Sequence, residues 1–529
     1  MCAHGGAIVQ RRRRRVKKRR LTQADNNPAS NRDGQPRVRP IQFWAMPNRR
    51  EFLKTTAVSA AFAALSGKVD AARPVSSEAP APRAEIELFV TDAARRHQPA
   101  PSLRWIETRS ASTGNTLVID PAKRAQPILG FGGALTDAAC YVISQLPESP
   151  RDELMNDLFG ANGMAFSVCR MCIGSSDYSR NVFSYDEGER DPQLARFSIA
   201  HDREYILPTL RAARKVNPDL FLLGSPWSPP GWMKDNNSML GGTIRRSDMK
   251  SYANYIVKFL QAYQDEGVEI NAVTPQNEVD TDQDSRMPAC LFPQEAEVQY
   301  VGQMLGPAIE QARLRTRIWL IDHNYNLWGR AICELDDEKV SRVTKSIAWH
   351  GYLGTPELVR KVAEAHPDAE MHWTEGGPDI RDPKYATDWS AWSRKFAGIL
   401  RNGMRSIIAW NVALDEQGKP NIGPFSCGGV VTVHSQSHEI TRSGQYWAFA
   451  HYSRHIRRNA VVVASESNGA GPLASVAGVD HVAALNPDGS YVLVLTNTAA
   501  SPQQVEVRFG KFASRVDLGA DSIATLRWS

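Results

Sequence analysis

Eight short apolar runs punctuate the middle of the chain, and between them apolar positions return every three or four residues. The runs are 127–133 (PILGFGG), 165–173 (AFSVCRMCI), 219–225 (DLFLLGS), 269–275 (EINAVTP), 318–323 (IWLIDH), 345–350 (KSIAWH), 369–375 (AEMHWTE) and 405–411 (RSIIAWN). Runs of this length, apolar on both faces, predict buried strands. The clearest helix between them is 247–264, where Met249, Tyr252, Ile256, Phe259, Leu260 and Tyr263 share a face, Ser247 is placed as N-cap and Gly267 as the stop. Val298, Val301, Leu305 and Ile309 form a second helical pattern leading into the strand at Ile318. Eight alternating units predict an α/β fold, a (β/α)8 TIM barrel over 125–454. An open doubly wound sheet is the competing architecture. Against it, Gly130-Phe-Gly-Gly133 runs on into Ala-Leu-Thr-Asp and lacks the Gly-x-Gly-x-x-Gly that opens a phosphate-cradling helix.

After residue 455 the period shortens to two. VAALNPDGSYVLVLTNT, QQVEVRF and SIATLRW read as short strands, with a hairpin turn at Asn486-Pro-Asp-Gly489. Residues 103–120 have the same character. Neither piece can bury a core alone, so 103–124 and 455–529 are expected to combine into one β-sandwich attached to the barrel. The Ala-, Pro- and Arg-rich stretch 73–102 is read as a linker.

Charge changes the picture only at the N-terminus. The 529-residue chain carries a formal +6, but residues 1–45 hold 12 Lys/Arg against 2 Asp, so +6 less +10 leaves −4 from Met46 onward. A nucleic-acid role would rest on the basic run 11–20 alone. From Met46 the order is Arg49-Arg50, Phe52-Leu53-Lys54, a weakly apolar 57–65 and Val69-Asp70-Ala71. That order fits a bacterial twin-arginine export signal over 46–72, with cleavage after Ala71 or Ala72. Because such signals act from the extreme N-terminus, 1–45 is expected to be an untranslated or disordered leader and Met46 the start. The mature protein is expected in the periplasm or outside the cell, without a membrane span. Six cysteines lie beyond Cys2, which permits disulfides without requiring them. Cys169-x-x-Cys172 sits in a buried-strand pattern with no second Cys/His pair nearby, and reads as small core residues.

In a (β/α)8 enzyme the reactive groups gather at the C-terminal ends of the strands. Those ends present Asp137, Arg170, Trp227, Asn277, Glu278, His350, Tyr352, Glu375, Trp410 and Asn411. Two carboxyls with aromatic and amide companions suit sugar chemistry: one delivers a proton to the leaving oxygen, the other attacks or shields an oxocarbenium-like carbon. Trp227 and Trp410 offer flat faces to a pyranose, and Asp137 and Asn277 suit hydroxyls. Each has a plainer reading, Asp137 as a helix cap and His350 as a core histidine among them. It is the convergence of several strand ends that favours a site.

At these residues the chain resembles glycoside hydrolase family 30, which includes lysosomal glucosylceramidase, from about residue 125 to the C-terminus. The ordered blocks are GFGGALTDAA, GSPWSPPGWMKDN, VTPQNE, WHGYLG, WTEGG and AWNVALDEQGKPN. The resemblance implies a barrel with a β-sandwich and a retaining mechanism without cofactor or metal. Glu278 would be the acid/base, with a raised pKa, and Glu375 the nucleophile, their carboxyls roughly 5 to 5.5 Å apart. Asn277 would hold the 2-hydroxyl; Asp137, Trp227 and Trp410 would line the glycone site; Arg170 would support ionised Glu375, and Tyr352 would bond to it. Gly351 stands where the lysosomal enzyme has Trp, and residues 423–449 also depart from its pattern. The expected substrate is therefore a β-linked glucoside, glucosylceramide-like, with endo-β-1,6-glucanase action as the alternative and a non-catalytic glycan-binding protein as the rival of another class.

Overall fold

The computed structural model describes residues 82, 84–109, 115–467, 475–476 and 478–529. The leader and export-signal residues of the sequence reading, and linker residues 73–81 and 83, lie outside this set. All eight apolar runs form strands: Gly130–Gly133, Val168–Ile173, Phe221–Pro226, Ala272–Val273, Arg317–Asn324, Ser346–His350, Glu370–Glu375 and Met404–Ala409. They pair in parallel with their neighbours in chain order. The eighth returns to the first, and a parallel bridge from Ala134 to Arg170 joins the first to the second. The sheet is thereby closed. Val168, Leu223, Ala272, Trp319, Ala348 and Ile408, from six strands, form a buried apolar cluster inside the ring, the packed interior expected of such barrels.

The helix predicted at 247–264 runs Met249–Asp265. Its N-cap is Asp248 and not Ser247, because a short 3-10 turn, Arg246–Asp248, leads directly into it. Gly267, at φ 75°, ends it in a conformation costly for any residue with a Cβ. The second helical pattern is interrupted by a π-helical turn, Val301–Leu305, between Gln294–Tyr300 and Gly306–Gln311.

The β-sandwich is a single ten-stranded sheet, built from both sides of the barrel sequence. Thr116–Pro127 pairs antiparallel with Val461–Ser467 and parallel with Gln503–Phe509. The stretch read as a linker is corrected here: Glu85–Thr91 and Gln98–Arg104 form an antiparallel pair, and the first of them lies against Ser522–Trp528. Its Ala/Pro/Arg composition hid an alternation that buries only Ile86, Val90 and Thr91. Trp105, Tyr491, Phe509 and Trp528 pack together in the sandwich core. Barrel and sandwich are tied by polar bonds from two helices: His451 reaches Thr91 and Thr525, and Trp389 donates to the Asp521 carbonyl. The six described cysteines beyond Cys2 are free thiols, with Cys169 and Cys172 in the core. Among the described residues no helix is long and apolar enough to cross a membrane.

Candidate active site

Arg170 is the base on which the site is built. It occupies the middle of a strand buried along its whole length and is itself fully enclosed. An enclosed guanidinium must be paired. Its partners are Asp322 at 2.7 Å, the Glu375 carboxylate, Asn277 Oδ1 at 2.6 Å and Ser225 Oγ at 3.0 Å. Burial would lower its pKa, but Asp322 and Glu375 more than reverse this. Its charge also lies 4.6 Å from the ring centre of Trp227.

Above this base is a cavity of about 600 Å³ whose walls include Asp177, Trp227, Asn277, Glu278, His323, Tyr352, Glu375, Trp410 and Phe425. Glu375 ends the seventh strand, taking Arg170 on Oε2 and the Tyr352 hydroxyl on Oε1 at 3.1 Å. Glu278 follows the two-residue fourth strand. Its φ of 53° is one of several left-handed backbone positions at the site, with Ile321, Asp322 and Asn411. Such positions are held by the surrounding structure. Here the Glu278 amide donates to the Asp322 carbonyl and the Asn277 amide to the Pro226 carbonyl. Trp227 and Trp410 stack on each other with centroids 5.0 Å apart.

His350 links the two acids. Its Nδ1 is 3.3 Å from Glu278 Oε1, while its Nε2 is 3.1 Å from Asp322 Oδ1 and 3.7 Å from Glu375 Oε2. Burial pulls this imidazole down, but Glu375, Asp322 and Glu278 lift it to about 9. Burial likewise pushes the Glu278 carboxyl up, yet His350 and His323 outweigh it and hold it at about 2. The sequence reading expected a raised Glu278 carboxyl; beside the His350 and His323 imidazoles it is lowered instead.

Four of the ten expected residues are not on the cavity wall: Arg170 and His350 are buried behind Glu375 and Glu278, and Asp137 and Asn411 are engaged elsewhere. Asp137 is buried beside the first turn of helix Asp137–Ser144, where it accepts from the Arg180 amide and the Tyr205 hydroxyl and contacts His201. The helix cap itself is Thr136. Asn411 is fully buried and accepts from the Thr136 hydroxyl. Asp177 and Asp379 are the aspartates on the cavity wall, and of these Asp177 is buried. Burial, followed by the charges of Glu375 and Glu278, raises its carboxyl well above the ordinary range, so that it can donate as well as accept.

A model for the glycosyl hydrolase family 30 TIM-barrel domain matches residues 128–456, and one for that family's β-sandwich domain matches 459–526. The chain belongs to glycosyl hydrolase family 30. It is therefore a glycoside hydrolase. Among family members, an endo-1,6-β-D-glucanase of Neurospora crassa is 33% identical over 75% of this chain and 84% of its own length. Lysosomal acid glucosylceramidase of Mus musculus is 27% identical over 75% and 80%. Of solved structures, the endo-β1,6-glucanase BT3312 superposes with a TM-score of 0.75 at 26% identity, covering 84% of this chain and 99% of that one. SrfJ from Salmonella typhimurium reaches 0.79 at 25%, with the same coverage.

The family 30 site in this chain also contains residues that the sequence reading passed over. Asp322 and His323 lie just before Asn324 closes the fifth strand, whose end went unread. Asp322 gathers Arg170, His350, Ser225, Thr274 and Thr374 around one buried carboxylate. An Asp-His pair closing an otherwise apolar strand was the available signal. Gly351, the departure from the lysosomal pattern, has a local reason: a Cβ there would meet the Trp373 indole at 2.8 Å.

Proposed function

We propose that this chain is a retaining β-glycosidase that cleaves β-glucosidic bonds in a glucan, with β-1,6-linked glucan as its substrate. The observation that carries the reading is the pairing of Glu278 and Glu375 on one tryptophan-walled cavity, bridged by His350. Glu375 attacks the anomeric carbon and forms the glycosyl-enzyme, while Glu278 protonates the departing oxygen and then activates water. The proton for the first step is stored on His350 and passes to Glu278 as the leaving oxygen develops charge. Asn277, held through its Oδ1 by Arg170, turns its NH2 to the 2-hydroxyl. Asp177 meets a glycone hydroxyl, the role first expected of Asp137. The likeness to the Neurospora glucanase supports the β-1,6 linkage. The chain is exported through the twin-arginine signal at 46–72.

A second reading, glucosylceramide as substrate, draws on the exposed apolar side chains of Tyr352, Leu353 and Phe425, which are 48%, 58% and 43% accessible. Tyr352 and Phe425 line the cavity. Incubation with β-1,6-glucan, glucosylceramide and aryl β-glucoside, β-xyloside and β-fucoside, with the product anomer followed by NMR, separates the readings. Short β-1,6 oligomers released with retention support the first. Hydrolysis of glucosylceramide alone supports the second, and an inverted anomer overturns the mechanism of both.

A further inference from the structure

We propose that Glu278, His323 and His350 form an inhibitory site for a divalent cation of the Zn2+ type. Glu278 Oε1 and one ring nitrogen from each histidine lie within 4.8 Å of one another. His350 Nδ1 is 3.3 Å and His323 Nδ1 3.6 Å from Glu278 Oε1. Both exceed the roughly 2.9 Å of a good N–H···O hydrogen bond. They are close to the edge of a ligand tetrahedron around Zn2+, roughly 3.3–3.4 Å for bonds of about 2.0–2.1 Å.

The far side of each ring carries the stronger argument. His323 Nε2 lies 2.5 Å from Asp280 Oδ1, and His350 Nε2 lies 3.1 Å from Asp322 Oδ1. A carboxylate on the outer nitrogen keeps the hydrogen there and aims the inner lone pair at the centre, which is how metal-ligating imidazoles are oriented. Here two independent strands supply the same relay toward the same oxygen, and His323 and Glu278 both open onto the cavity, leaving a fourth position for water. Two imidazoles and a carboxylate suit Zn2+ or Cu2+ better than Mg2+ or Ca2+. On binding, the proton held by His350 is released to solvent and the cation takes the vacated lone pair. No electron changes hands.

The inhibitory half rests on the proposed role of Glu278: a carboxylate committed to a cation neither gives nor takes a proton. The binding half does not. Zn2+ titrated into the full chain by calorimetry, and Co2+ followed by its visible d–d absorption, should show one site per chain. Asp280→Asn, a substitution at a half-exposed side chain behind His323, should weaken both cations about 10–100-fold, and His323→Gln should abolish the Co2+ spectrum. A carboxylate that merely tuned catalysis would change turnover and leave metal affinity alone. Failure of either cation to bind, or binding indifferent to both substitutions, overturns the site. Stoichiometric Zn2+ binding with undiminished glucan hydrolysis would overturn the inhibition, and with it the assignment of Glu278, while sustaining the site.

Discussion

Arg170 donates to the Glu375 carboxylate from inside the barrel, with no exposed surface of its own. The same guanidinium neutralises Asp322, which is equally enclosed. Arg170→Gln would leave a buried carboxylate uncompensated, and such losses cost about 3–5 kcal/mol. Chemical denaturation should show that loss directly, and Arg170→Lys should recover only part of it because one ammonium cannot serve four separated acceptors.

Removing each acid should leave a different signature. Glu375→Gln should abolish turnover on every glycoside while sugar affinity, read by calorimetry, persists. Glu278→Ala should slow cleavage of β-1,6-glucan by roughly 10²–10⁴-fold, yet spare formation of the glycosyl-enzyme from an aryl glucoside whose leaving group needs no proton. Pre-steady-state bursts on the aryl substrate distinguish the two.

The His350–Glu278 pair ties stability to pH in both directions. His350 titrates near 9 in the fold against an ordinary 6.5, so its contribution is full below 6.5 and drains as pH rises from 6.5 to 9. Glu278 is held near 2 against 4.5, so its contribution is full above 4.5 and is lost as pH falls from 4.5 toward 2. The site therefore favours the folded state most between pH 4.5 and 6.5. The shift of His350 corresponds to about 3 kcal/mol. His350→Gln should flatten the alkaline limb of a melting-temperature profile measured from pH 5 to 10 and leave the limb steep if another group governs it.

Two aspartates should trade the roles that position along the chain suggested. Asp177→Asn should raise KM or lower kcat for glucosides with little change in melting temperature, since it borders the cavity. Asp137→Asn should do the reverse. It weakens a carboxylate bonded to the Arg180 amide, Tyr205 and His201 away from the cavity wall, at a cost of about 1–3 kcal/mol. Kinetics and melts on both variants test the exchange.

Much of this architecture was legible because a barrel strand is buried on both faces and so shows as an unbroken apolar run; all eight did. Glu278, Glu375, Trp227 and Trp410 were legible because they close or follow such runs. The misses have physical reasons. Asp177 lies four residues beyond the end of its strand at Ile173, in a loop whose path no periodicity encodes. Asp322 and His323 sit within a strand's bounds, where the left-handed backbone at Ile321 and Asp322 breaks the alternation of sides. The depressed Glu278 carboxyl depends on imidazoles from two other strands, and distance in sequence hides such neighbours.

Ser522–Trp528 lies between Glu85–Thr91 and Tyr491–Asn497 in the ten-stranded sheet. Among the described strands, Glu85–Thr91 thus completes its pairing only once Ser522–Trp528 has been made. While the ribosome works through the intervening four hundred or so residues, one edge of the leading hairpin stays in water until Ser522–Trp528 arrives to pair with it. Removing Ser522–Trp528 would unpair Glu85–Thr91 and Tyr491–Asn497 at once, so a protease acting there strikes the leading hairpin as surely as its own neighbour.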